Sequence, residues 1–158
     1  MIQLLATCLS FIGVASSLLT LQNGDFKNVT AGKPDGWQLN GQVKYLPDGG
    51  RNGMPACELT NLNPKGDSRL LQIITPNGEA TGQVKVTAWL KCQNVGDSGD
   101  CCLWLDTLLK NGSAIWGKQG VPDRLNSKWQ KVTAVVSAGT PIKEIQVFIL
   151  LRNTKGKL

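Results

Sequence analysis

The sequence predicts an all-β fold of two antiparallel sheets packed face to face, and three observations carry that prediction. Short runs rich in Val, Ile, Leu and Trp alternate apolar with polar residues at a period of two. Clusters of Gly, Pro, Asn and Asp separate these runs. Past Thr20, no stretch has the amphipathic period of a substantial helix.

Met1 to Thr20 carries no charge, and its apolar run from Leu4 to Leu19 is broken only by Ser, Thr, Gly and Cys. It reads as a signal peptide over residues 1–17 that lacks the usual basic start, with Val14, Ala15, Ser16 and Ser17 as small residues for cleavage. Residues 18–158 are then the sandwich domain, and the expected location is secreted. Reversals follow at Lys33-Pro34-Asp35-Gly36, Pro47-Asp48-Gly49-Gly50, Asn63-Pro64-Lys65-Gly66 and Pro76-Asn77-Gly78.

The clearest strand runs from Gln83 to Lys91, where Val84, Val86, Ala88 and Leu90 face the core and Lys85, Thr87, Trp89 and Lys91 face out. In the next, Cys102 to Leu109, Leu103 and Leu105 take the inner side while Trp104, Asp106 and Leu108 take the outer. Asn111-Gly112 offers a two-residue hairpin turn. Strands at Trp129–Val136 and Ile145–Arg152 complete the pattern, the latter with Gln146, Phe148, Leu150 and Arg152 on its outer side. Jelly-roll connectivity is the expected way to join them.

Loss of Cys8 with the leader leaves Cys57, Cys92, Cys101 and Cys102, an even set suited to disulfides in an oxidising compartment. Cys92 and Cys101 flank a loop rich in Gly, Asp and Ser, so a staple across it is reasonable, with Cys57 left for Cys102. Exchange of Cys101 with Cys102 is equally permitted. The vicinal cysteines and the absence of His argue against zinc, and no metal is expected.

The 17 Lys and Arg against 11 Asp and Glu give a net charge of +6, scattered along the chain. No basic cluster or recognition motif points to nucleic acid, and past the leader nothing reads as a membrane span. The acidic residues fall mostly in turns with no pair set across a cleft, and without His neither Ser–His nor Cys–His catalysis is available. The chain is read as non-catalytic.

The order Asn23-Gly24-Asp25-Phe26, Gly36-Trp37, Leu70-Leu71-Gln72-Ile73, Val84 to Leu90 with Trp89, Ser127-Lys128-Trp129-Gln130-Lys131-Val132 and Gln146 to Leu150 resembles jelly-roll carbohydrate-binding modules of families four, nine and twenty-two, which have a galactose-binding-like sandwich. The resemblance implies a non-catalytic domain that holds a secreted or cell-surface protein on a polysaccharide or oligosaccharide, often beside a downstream catalytic domain. It also implies structural calcium, through an acidic residue after the first Phe and an Asp-Asp pair on the last strand. Lys27 follows Phe26, and the sequence stops at Gly156-Lys157-Leu158, where that last strand is expected to begin. Both departures weaken the case for calcium and make the domain read as truncated at its C-terminus.

Sugars present apolar C–H faces and rings of hydroxyls, so they need flat aromatic surfaces flanked by polar groups. Trp89 and Trp104 are the leading candidates, with Lys91 and Asp106 beside them; a hairpin between their strands would bring the indoles together. Gln146 and Phe148 extend the platform if their strand joins the same sheet. A bulge that reversed the assumed parity would instead bury the indoles. The alternative reading is a structural or adhesion sandwich whose outward aromatics contact protein.

Overall fold

The computed structural model describes residues 20–158 and the backbone of Ile2–Leu4. Apart from those three residues, the leader expected over residues 1–17 lies outside the described residues, as does Cys8. In chain order the strands are β1 (Ile2–Leu4), β2 (Val29–Thr30), β3 (Lys33–Pro34), β4 (Gln38–Asn40), β5 (Gln42–Leu46), β6 (Ala56–Asn61), β7 (Asp67–Ile74), β8 (Gly82–Leu90), β9 (Asp100–Leu109), β10 (Ala114–Gly120), β11 (Gln130–Ala138), β12 (Ile142–Arg152) and β13 (Gly156–Lys157).

Two antiparallel sheets form the sandwich. One joins β11, β8, β1, β6 and β13, with β5 also paired to β6; the other runs β10-β9-β12-β7-β4. β2 and β3 form a separate small hairpin. Alternation in the longest strands builds the core: Val84, Val86, Ala88 and Leu90 from one sheet meet Leu103, Leu105, Ile145, Val147, Ile149 and Leu151 from the other, all buried.

Polar anchors fix the ends. The Asn61 amide donates to the Leu151 and Thr154 carbonyls at 2.7 and 3.0 Å and accepts from Ser68 Oγ at 2.8 Å, so it ties β6 to the opposite sheet. Gln72 Oε1 accepts from the Gln22 N–H at 2.7 Å, and its Nε2 donates to the carbonyls of Gln22 and Gly36. This holds the Asn23–Phe26 loop in place, where Phe26 is fully buried and meets Trp37 edge-on at 5.7 Å. Trp37 is therefore a packing residue at the sandwich end.

One expectation needs correction. The segment between β8 and β9 is no hairpin within one sheet; it crosses from the first sheet to the second. Val95 is drawn into the core at the crossing, and Arg124 clamps the segment through the carbonyls of Gly96, Ser98 and Gly99. Period-two alternation reports which face a residue takes but is silent on which sheet its strand joins. In the first sheet, β1 lies between β8 and β6.

Candidate functional site

Register assembles the outer face of the second sheet. Phe148 on β12 stands opposite Trp104 on β9, and Gln146 stands opposite Asp106. On the other flank, β7 places Leu71 beside Phe148 and Ile73 beside Gln146. Directly opposed residues share a face, so Trp104, Asp106, Gln146, Phe148, Leu71 and Ile73 form one continuous surface. The conditional placement of Gln146 and Phe148 thus holds: their strand lies in the same sheet as Trp104.

Trp104 is held in one pose. Its Nε1 donates to Asp106 Oδ1 at 2.8 Å, and the same oxygen accepts the Gly117 N–H at 2.8 Å. Gly117 lies in a bulge of β10 between Ile115 and Lys118, with φ +68°, and a Cβ there would stand 3.1 Å from Trp104 Cζ2. The Arg152 guanidinium carbon lies 5.6 Å from the indole centroid, and Arg152 is itself paired with Asp100 at 2.6 Å. Gln146 Nε2 donates to Glu144 Oε1 at 2.6 Å. Aromatic and amide groups are thus pre-oriented while Trp104, Asp106, Gln146 and Phe148 stay partly open to solvent.

Trp116 is the residue that sequence reasoning left unassigned. Its side chain is 63% exposed, and it borders a cleft of about 200 Å³ shared with Leu108, Ala114, Lys110 and Lys143. Leu108 pairs with Ala114 on the outer side of the hairpin, so Trp116 extends the Trp104 face. The Ile115-Trp116-Gly117 triplet carried one signal: a glycine inside a strand-like run often marks a bulge or a close approach.

Trp89 does not join this face. It lies on β8 in the first sheet, between Lys131 and Gln3, and points away from the core on the opposite side of the sandwich. The Arg51 guanidinium carbon lies 4.1 Å from its ring centroid, so the chain itself covers one indole face. Arg51 Nε is buried without a hydrogen-bond partner, which leaves the indole as its compensation. Lys91 directly follows the same strand and stays with Trp89.

The four described cysteines are thiols. Cys57 and Cys102 cannot pair: Cys57 faces the core from β6, whereas Cys102, next to core-facing Cys101, takes the outer side of β9. Burial pushes each of these thiols up to about 12. Cys92 and Cys101 do meet, with Sγ atoms 3.5 Å apart. Their hydrogen bond favours the Cys92 thiolate and pushes the Cys101 thiol up, so the first proton leaves Cys92. Cys92 borders a cleft of about 500 Å³ lined by Gln93, Asn94, Arg124, Leu125 and Lys157 among others. No group of three or more His, Cys, Asp or Glu among the described residues is arranged to hold a metal ion. No helix among them is long and apolar enough to cross a membrane.

No family model matches the chain, and no curated protein matches it. Among solved structures it is similar to the enzymatically active domain of tailspike protein 4 of bacteriophage CBA120, at 14% identity and a TM-score of 0.57, over 88% of this chain and 20% of that one. This chain spans about a fifth of the length of the tailspike chain it matches. Similarity at that identity speaks to the fold alone, and the fold it supports is the all-β sandwich described above.

Proposed function

We propose that the outer face of the β10-β9-β12-β7-β4 sheet binds carbohydrate without catalysis. One observation carries the reading: Trp104 is a partly exposed indole locked by Asp106 and Gly117 beside Phe148 and Gln146. A locked aromatic loses little freedom when a sugar ring stacks on it, so more of the stacking energy appears as affinity. Asp106 Oδ1 serves Trp104 and Gly117, and those bonds leave Oδ2 for a sugar hydroxyl. Trp116 extends the stacking surface along the hairpin. The domain then acts as a module that holds a larger secreted or surface protein on polysaccharide.

In the oxidising compartment expected for a secreted chain, Cys92 and Cys101 close to a disulfide across the β8–β9 crossing. Each gives up a proton and the pair gives two electrons to a disulfide oxidant such as glutathione disulfide.

The test of binding is retardation of the purified chain in gels containing individual polysaccharides. A neutral glycan is expected to retard the parent, and Trp104→Ala to weaken that retention about tenfold, the scale of a central aromatic contact. Trp89→Ala, on the far face, should retain it. Retardation by no glycan, or equal retention by Trp104→Ala and parent, sinks the reading. Self-association abolished by Trp104→Ala would favour a protein-contact surface instead.

A further inference from the structure

Two β-bulges flank β9 at the same end of the second sheet. On β12, Ile142 stands opposite Leu109 and Glu144 opposite Leu108, so two steps on β12 match one on β9 and Lys143 is the extra residue. On β10, Ile115 stands opposite Thr107 and Lys118 opposite Leu105, so three steps match two and the extra length falls at Trp116-Gly117. Each bulge re-aims a side chain. Ile142 and Ile145 are both buried in the core, so strict alternation back from Ile145 would carry Lys143 inward. The bulge instead leaves Lys143 exposed, and the other leaves Trp116 63% exposed.

Both residues line the cleft of about 200 Å³ at the β9–β10 turn, together with Leu108, Lys110, Ser113 and Ala114. Its walls are tied in place. The Leu109 N–H donates to the Ser113 carbonyl and the Lys110 N–H to the Pro141 carbonyl, each at 2.8 Å, and Ser113 Oγ donates to Asn111 Oδ1 at 2.7 Å. The two lysines differ in their charge balance. Lys110 Nζ donates to Glu79 Oε1 at 2.6 Å and to the Gly78 carbonyl at 2.9 Å. No ion pair or hydrogen bond among the described residues takes up Lys143 Nζ, and the adjacent Glu144 accepts from Gln146 instead. The cleft thus offers an open indole and one uncompensated ammonium. Drug-sized ligands fill roughly 300–1,000 Å³, so this smaller cleft is matched to a single ring. Indole takes the C–H face of a sugar ring, and a lysine ammonium is a compact point charge that takes an anion.

We infer that this cleft is a subsite for one anionic sugar residue, with Trp116 stacked on the ring and Lys143 on its carboxylate or sulfate. The inference rests on the reading of this sheet face as carbohydrate-binding and adds a charged unit that the Trp104 row does not supply. Leu108 lies two residues beyond Asp106 on the same side of β9, so the cleft continues that row toward the turn. A glycan whose neutral stretch runs past Trp104 and Phe148 then sets its acidic residue beside the hairpin. One sugar held at about millimolar strength gives little retention by itself, so gel retention still reports the Trp104 row.

The test is titration of the full chain with glucose, sodium glucuronate, glucose 6-sulfate and sodium acetate, read by NMR from the backbone amides of Gly112, Ala114 and Lys143. At least one acidic sugar is expected to shift these amides with a dissociation constant about two- to fivefold below that of glucose, the scale of an exposed ion pair. The tighter of the two names the acid, and added sodium chloride should erase the preference. Lys143→Gln is expected to bind the acidic sugar no better than glucose, and Trp116→Ala to lose both. Four results overturn the subsite: no shift with either acidic sugar, equal affinity for acidic sugars and glucose, an equal response to acetate, or undiminished binding of the acidic sugar by either variant. Trp104→Ala should leave these shifts unchanged, and Lys143→Gln should leave neutral-glycan retention in gels unchanged. Failure of the subsite and failure of the Trp104 platform therefore read separately.

Discussion

Gly117 sets the pose of Trp104. Its φ of +68° lies in the left-handed region, which costs a residue with a side chain about 1–2 kcal/mol, and a methyl group there would press on the indole at 3.1 Å. Gly117→Ala is therefore expected to lower stability by about 1–2 kcal/mol in urea unfolding. It should also shift the Trp104 ring, read as a changed near-UV circular dichroism band, and weaken glycan retention although no contact residue is replaced. A variant with full stability and full retention would show that the bulge does not position the indole. Arg51 plays the opposite part at Trp89: its guanidinium occupies an indole face that a ligand would otherwise use.

At the level of elements, the long strands were legible because each buries one side. The Val84 to Leu90 and Ile145 to Leu151 alternations match β8 and β12 within a few residues. β2, β3 and β4 are two or three residues long, too short for a period to emerge. β10 was hidden because its bulge interrupts the alternation at Trp116-Gly117. The face of Trp104 was likewise readable from parity, while its separation from Trp89 was not, because the crossing between β8 and β9 depends on burial of Val95 and on carbonyl contacts from Arg124, which no alternation reports. That crossing also brings Cys92 to Cys101. Mild treatment of the folded chain with glutathione disulfide is expected to remove two of the four described thiols, with peptide mapping linking Cys92 to Cys101 and leaving Cys57 and Cys102 unlinked. The bond forms at the Cys92 thiolate, so the reaction should slow as pH falls below the range in which that thiol ionises. A link between Cys57 and Cys102 would contradict the placement of Cys57 in the core from β6 and of Cys102 on the outer side of β9.

Across the whole molecule, the net charge of +6 and the candidate binding face make separate contributions. On that face Arg152 is paired with Asp100 at 2.6 Å, and Arg69 with Asp67 at 3.7 Å, so the two arginines beside the aromatic row are offset locally by carboxylates. A neutral sugar stacked on Trp104 displaces no counterions, and its contacts are shorter than the screening length of about 10 Å at 0.1 M salt. Retention by a neutral glycan should then change less than about twofold between roughly 0.05 and 0.5 M sodium chloride. An anionic glycan would instead be drawn by the charge of the molecule as a whole and lose affinity steadily over the same range. The two behaviours separate in one gel series. Salt-insensitive retention that Trp104→Ala abolishes places recognition on the aromatic row, whereas salt-sensitive retention that survives Trp104→Ala places it on the dispersed lysines and arginines and leaves the second sheet without a ligand.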